Sequence, residues 1–451
     1  MIYIVAAVAG IAGFLFGFDE GIIAGALHLL RAQFQISPVS EGLMTSAVPL
    51  GALFGAIMAG PAVEHYGRRS MLLFAALLFA AGALLSSATL AIWMLSLARL
   101  ILGFAVGIAA LVAPLYISES APPKKRGMLV SIYQLAITLG ILGAYLASYG
   151  FSDSWRTMFL LGVVPGAALF ASMWLMPETP RWLAAQGRTG QAQAVLSRLR
   201  GISPQSPALQ GEMTEIARTA ASDGKGGSWA DLLGPVARPA LVVGIGLFFL
   251  QQLSGINAVI YYAPEIFREA GFDSGSSRLL ASVGIGLVNV LMTLVGMALI
   301  DRIGRRALLL IGFIGTAFSL GMIAIGAATE AQSLDIVALA GLVIYIGAFA
   351  ASLGPLPWVM MSEIFPQNVR GIGMSAATVA NWGFNFLVVF SFPLLIAYIG
   401  LGGIFTIYAM ACLVGIIFTL RAVPETSGIP LEEIEDHLKS GRPFCELGSP
   451  A

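Results

Sequence analysis

Charge is scarce in this chain. Only 11% of its 451 residues are Asp, Glu, Lys or Arg, against roughly 25% in soluble domains. Hydrophobic residues make up 58%, and the mean hydropathy is +0.87. A soluble globular fold is thereby excluded. The 24 basic and 24 acidic residues cancel, so no nucleic-acid partner is implied. Cys412 and Cys445 stand far apart, one in an apolar run and one in the tail, which argues against both a disulfide and a metal site. His28, His65 and His437 are scattered. With no nucleophile or metal spacing beside them, neither an enzyme nor a cofactor is expected.

What the chain has is long apolar runs. A helix needs about 20 residues to cross a bilayer. Twelve such runs occur, near 3–30, 42–64, 71–90, 93–116, 127–149, 156–176, 239–263, 279–300, 307–328, 335–361, 371–398 and 400–421. They predict an all-α protein of twelve transmembrane helices. The first run lacks a basic start and carries acids at its centre, so it reads as a retained span rather than a signal peptide. With the N-terminus inside, 19 of the 24 Lys and Arg fall on the inner side. Both termini are therefore expected in the cytoplasm of a multi-pass inner-membrane protein. Arg31, Arg156, Arg268 and Arg278 fall outside, and Arg99 lies within the fourth run.

Three landmarks occur twice in the same order. YGRRS at 66–70 returns as IGRRA at 303–307, a shift of 237; SESAPPKKRG at 118–127 returns as SEIFPQNVRG at 362–371, a shift of 244; PETPRWL at 177–183 returns as PETSGIP at 424–430, a shift of 247. The chain thus divides into a six-helix half at 1–176, a linker at 177–238, a second half at 239–421 and a cytoplasmic tail at 422–451. Helical spacing at 188–201 and 209–220 predicts short amphipathic helices in the linker.

Duplicated six-span halves are the plan of the major facilitator transporters. GRR after spans two and eight, SE…RG after four and ten, PETPRWL after six, QQLSGIN in seven and PETSG after twelve together resemble the sugar porter family, over about residues 10–436. The resemblance implies alternating access by two rocking halves, acting as a monomer in the bilayer on a monosaccharide.

Acids and arginines gather at matching positions of both halves: Glu64, Arg68, Arg69, Glu119, Arg126 and Glu178, then Asp301, Arg305, Arg306, Glu363, Arg370 and Glu425. They are expected to form a cytoplasmic gate whose ion pairs link the halves when the cytoplasmic side is shut. Exposed pairs contribute only about 0–1 kcal/mol each, which suits a gate that opens every cycle. Glu64 stands where the resembled motif has Asp, as Asp301 does, and its extra methylene is expected to loosen the contact.

QQLSGINAVIYYAP at 251–264 sets Gln251, Gln252, Asn257, Tyr261 and Tyr262 inside a span. Gln252 and Asn257 lie about 140° apart on an ideal helix, so they converge only if it breaks at Ser254-Gly255. An amide offers both a donor and an acceptor to a hydroxyl and adds no charge. By resemblance the sugar contacts are Gln134, Gln251, Gln252, Asn257, Asn289, Trp358 and Asn381. Phe16, Ile141, Tyr261, Tyr262, Gly354, Trp382 and Asn385 line the pocket. Apolar Ile141, where some pentose porters have an amide, leans toward a hexose such as glucose.

Asp19 and Glu20 interrupt the first run. A carboxylate in hydrocarbon costs several kcal/mol. Counted from the helix ends, Arg99 and Asp19 lie at similar depth, roughly 9 Å and roughly 12–16 Å, and are expected to pair. GFD resembles proton-coupled sugar porters, in which the acid takes the proton, so Asp19 and Arg99 are the expected coupling pair. Glu20 is expected to face a watery vestibule without a coupling role. The leading reading is a proton-coupled monosaccharide symporter, with a sugar uniporter or a non-transporting sugar sensor as alternatives.

Overall fold

The computed structural model describes residues 1–122, 125–222, 228–329, 331 and 333–448, and among them there is no strand. The first six spans are α1 (Ile2–Phe34), α2 (Pro38–Tyr66), α3 (Arg68–Ser87), α4 (Ile92–Ser120), α5 (Arg126–Gly150) and the broken pair α6 (Trp155–Leu161) and α7 (Val163–Leu175). The linker carries α8 (Pro180–Ala185), α9 (Thr189–Arg200), α10 (Pro207–Ser222) and α11 (Trp229–Leu233). The seventh span is α12 (Arg238–Leu253) plus α13 (Ile256–Glu269), followed by α14 (Gly275–Ile303) and α15 (Arg305–Ala328). The tenth is α16 (Leu334–Ala348), a π-helical turn at Phe349–Leu353 and α17 (Leu356–Ile364). Finally come α18 (Arg370–Ala422) and, in the tail, α19 (Leu431–Lys439).

Eleven of the described helical stretches are long and apolar enough to cross a membrane. The last, α18, has 53 residues and breaks at Gly400 (φ 67°, ψ −178°). It therefore supplies two crossings, and the total is twelve, as the apolar runs predict. Several helices overrun the bilayer: α1 has 33 residues, well beyond the ~20 that span hydrocarbon.

The chain forms two compact units. One comprises Met1–Asp19, Ala47–Gly140 and Arg156–Gly226; the other comprises Glu20–Ser46, Ile141–Trp155 and Gly227–Ala451. This division cuts across the boundary expected at the linker. Within the second unit the far ends of α1, α2 and α5 bond to α13 and α18, through contacts described below, and are counted with them.

In the first unit, α2 and α4 approach until backbone meets backbone. A side chain on Gly51 or Gly55 would strike the carbonyl of Leu100 or Phe104, and one on Gly103 or Gly107 that of Val48 or Ala52. Lipid offers no hydrophobic drive between helices, so small residues that allow close packing hold them together. The linker helices pack a small core of their own from Trp182, Leu183 and Ala192, then Leu196, Leu209 and Ile216. Trp182 Nε1 donates to Glu64 O at 2.9 Å, which fastens that core to the end of α2.

The sequence repeat has an atomic counterpart. Gly67 (φ 89°, ψ 163°) and Gly304 (φ 92°, ψ 160°) precede the two GRR helices in the same left-handed conformation, which a residue with a Cβ rarely adopts. The Glu178 carboxylate packs on Gly67 and accepts from the backbone N–H groups of Arg68 and Arg69. Glu425 does the same for Arg305 and Arg306 at Gly304. A carboxylate at a helix N-terminus meets donors that no helix partner satisfies.

Candidate functional site

The seventh span breaks where the sequence predicts. Gly255 sits at φ 86° with the Tyr408 ring packed over the place a Cβ would take. Across the break Asn257 Nδ2 donates to Gln252 Oε1 at 2.6 Å, and Gln252 Nε2 donates to Asn381 Oδ1 at 2.7 Å. The two amides that an ideal helix would hold apart thus meet, with a third from α18. All three are buried. Asn385, one turn beyond Asn381, is 1% exposed, and its Oδ1 has no hydrogen bond among the described residues. Asn289, Tyr261 and Trp382 are buried, while Trp358 is half-buried with its ring edge-on to Phe248 at 4.8 Å. Gln134 and Phe16 are half-buried and belong to the first unit; buried Ile141 belongs to the second.

Gln251 departs from the rest. Its Nε2 donates to the carbonyl of Leu353 at 2.6 Å and to that of Gly354 at 3.3 Å. The reason lies in the tenth span. A helix would satisfy the Leu353 carbonyl with the N–H of residue 357, which is Pro357 and has none. In this structure Gln251 therefore holds the π turn rather than joining the amide cluster.

The same device occurs twice more in the second unit. Ile260 lies four residues before Pro264, and its carbonyl accepts from Tyr145 Oη of α5 at 2.8 Å. Val389 lies four before Pro393, and its carbonyl accepts from Tyr262 Oη at 3.3 Å. Tyr262 also lies 2.5 Å from Thr45 Oγ1 of α2 and stacks on Phe392. These contacts connect α2, α5, α13 and α18 at the helix ends far from GRR.

An ion-pair cluster covers the same region. Arg31 grips Glu41 with two N–H···O contacts of 2.6 and 2.7 Å and reaches Glu265 at 2.6 Å. Beside it His28, Tyr149, Asp153, Glu265 and Arg278 line a cavity of about 480 Å³. Sequence reasoning missed Arg31, Glu41, Thr45, Tyr145 and Glu265 as functional. Charges at span ends read as topology, and a lone tyrosine in a span reads as core. Only Tyr145 had a signal, the proline four residues after its acceptor Ile260.

Removing the Tyr145 hydroxyl should loosen this closure. A buried acceptor left unpaired costs about 1–3 kcal/mol. In a background with Cys412 and Cys445 replaced by Ser, Tyr145→Phe should speed maleimide labelling of Ser148→Cys, a position buried in this structure. An unchanged labelling rate would show that the bond contributes nothing to closure.

Asp19 and Arg99 do pair, in the first unit. Arg99 Nη1 lies 3.3 Å from Asp19 Oδ1, and the two side chains are 1% exposed or less. The Arg99 guanidinium also lies over the Phe159 ring at 5.8 Å. Glu20 is only 3% exposed, which corrects the expectation of a watery vestibule. Gly21 and Gly25 bring α1 against Ile141, Ala144 and Ser148 of α5 too closely for an aqueous cleft along that face.

At the GRR ends the expected gate residues form two clusters, each within its own half. Arg68 bonds Glu64 at 2.9 Å and Glu119 at 2.9 Å; Arg305 bonds Asp301 at 3.1 Å and Glu363 at 3.1 Å. Glu119 and Glu363 each also accept from a threonine hydroxyl, of Thr179 and Thr426, at 2.6 Å. Arg69 and Arg306 donate to the carbonyls of Trp174 and Leu420. Among the described residues these four pairs each lie within one half, whereas pairing across the halves is the expectation for the state in which the cytoplasmic side is shut. Glu64 holds Arg68 no more loosely than Asp301 holds Arg305, so its extra methylene has no visible effect. Glu178 and Glu425 serve as helix caps. Burial pushes the Glu178 carboxyl above the usual range, and the N–H groups of Thr179, Arg69 and Arg68 pull it back. Arg370 Nε donates to Phe365 O at 3.3 Å; the Arg126 side chain lies outside the described residues.

Comparison with known proteins decides the family. A family model described as sugar (and other) transporter matches residues 5–438. The chain belongs to the sugar transporter family. It is 39% identical to a D-xylose transporter of Levilactobacillus brevis over 97% of this chain and 96% of that one. It is 38% identical to the galactose-proton symporter of Escherichia coli K12, over 100% and 97%. Among solved structures it resembles the major facilitator proton:xylose symporter XylE bound to 6-bromo-6-deoxy-D-glucose. That match has a TM-score of 0.81 and 30% identity, and covers 97% of this chain and 99% of the other. Sugar transporters of this family are multi-pass membrane proteins that carry solutes and are not enzymes.

Proposed function

We propose that this chain is a proton-coupled monosaccharide symporter of the inner membrane, with the linker and both termini in the cytoplasm. The halves 1–176 and 239–421 move about the sugar site, the linker 177–238 and tail 422–451 brace them, and one chain suffices. The observation that carries the coupling is the Asp19–Arg99 pair, both members fully buried. A buried carboxylate is expensive unless compensated. Beside a guanidinium it gives up its proton readily, and alone in a dry site it keeps it. A carrier that makes and breaks this pair as it alternates binds a proton on one side and releases it on the other. A uniporter has no use for such a pair.

The sugar site is read as the Gln252, Asn257 and Asn381 amides with Asn289, Trp358 and Gln134, lined by Phe16, Tyr261, Trp382 and Asn385. The hexose preference inferred from Ile141 has little support. The named relatives include a D-xylose transporter and a galactose symporter, and a xylose symporter accommodates a bromodeoxyglucose. Pentoses and hexoses both remain substrates to be ranked. The test is uptake in proteoliposomes with an imposed inward proton gradient, labelled xylose and galactose each being challenged by a sugar panel. Gradient-driven accumulation of at least one monosaccharide is expected. Equilibration without accumulation for every sugar would leave a uniporter.

A further inference from the structure

A second cavity, of about 560 Å³, lies where the linker folds against the end of α2 and the start of α3. Its walls include Tyr66, Arg69, Trp182, Arg188, Gln191 and Arg198, all within the first unit. Three arginines thus line one space with a single acidic residue, Glu178. That carboxylate already accepts from the backbone N–H groups of Arg68, Arg69 and Thr179. Arg188 lies over the Trp182 ring, 5.8 Å from its centroid. Stacking occupies the face of a guanidinium and leaves its in-plane donors available. Arg188 and Arg198 are exposed, and among the described residues neither is ion-paired. A planar fork of donors suits the oxygens of a phosphate.

The surroundings fix the depth. Arg69 Nη2 donates to the carbonyl of Trp174 at 2.7 Å. The side chains of Trp174 and Leu175, at the end of the sixth span, are 62% and 78% exposed, a state that lipid relieves. Aromatic residues collect where hydrocarbon gives way to headgroups, and basic pockets at that level bind lipid headgroups.

We propose that this cavity is a phosphate-binding site, filled by the headgroup of an anionic phospholipid, which ties the linker helix α9 to the GRR turn. A soluble phosphate compound presents the same chemistry, so the experiment separates the two sources. The full chain is placed in nanodiscs of phosphatidylcholine, with and without phosphatidylglycerol, and separately in phosphatidylcholine with inorganic phosphate in solution. Hydrogen exchange of residues 189–200 and the unfolding midpoint are read in each. Phosphatidylglycerol should slow exchange and raise the midpoint. In Arg188→Gln/Arg198→Gln, whose altered side chains are exposed, the lipid needed for half-effect should rise about fivefold per arginine removed. Protection by phosphatidylglycerol alone assigns the site to lipid, and equal protection by inorganic phosphate assigns it to a soluble ligand. No protection by either, or protection undiminished in the double variant, overturns the proposal.

Discussion

Asp19→Asn should abolish uphill sugar accumulation while leaving counterflow of labelled against unlabelled sugar intact. The amide imitates the neutral, protonated carboxyl in size and charge, so the carrier reorients but moves no proton. The substitution alters none of the side chains read as sugar ligands, so sugar affinity should stay within a few-fold. Alkalinisation of the medium on adding sugar should vanish with accumulation. Arg99→Ala should behave differently. Removing one member of a buried pair strands the other at a cost of about 3–5 kcal/mol, relieved if Asp19 stays protonated. Proton release then fails and the pH dependence of transport shifts, whereas Asp19→Asn has none to shift. Concentrative uptake with and without a pH gradient separates these cases. Accumulation by Asp19→Asn at the wild-type level would make the pair structural.

The second large effect is expected at Gln252. Its side chain accepts from Asn257 and donates to Asn381, so Gln252→Ala removes one ligand and unfastens two others. Lost buried hydrogen bonds with orphaned partners cost about 1–3 kcal/mol, or roughly 5- to 150-fold in Kd. Calorimetry with the preferred sugar measures this directly. Gln252→Glu keeps the acceptor toward Asn257 but loses the donor toward Asn381, and should fall between wild type and Ala. Unchanged affinity in both variants would remove this cluster from the sugar site.

The crossings, the duplication and the break in the seventh span were legible because each has a local cause. Hydropathy marks a span by length alone, and Gly255 marks a break because its backbone turns left-handed. The Asp19–Arg99 pair was legible because a charge in an apolar run demands a partner at its own depth. Other contacts had no local mark. The partner of Gln251 is 102 residues away and that of Tyr145 is 115. Nothing near Gln251 signals that its amide goes to a backbone carbonyl rather than to Asn381. The pairs within each half were hidden for a related reason. Matching charges in two halves fit pairing across halves as well as pairing within each, and the Arg68–Glu119 and Arg305–Glu363 contacts are of the second kind.

A carrier must visit two arrangements in every cycle, so neither can be much the deeper one; a gap of several kcal/mol would leave it idle in one basin. The carbonyls of Ile260, Leu353 and Val389 bear on that balance. Their own helices cannot give them an α-helical bond in any arrangement, because the residue four places on is always proline. Each can exchange a tyrosine or glutamine donor for a water or a sugar hydroxyl, trading one hydrogen bond for another with little net change. Spans seven, ten and eleven can then shift against their neighbours without first tearing a helical ladder. Replacing these prolines would stiffen three helices and deepen whichever basin they already favour.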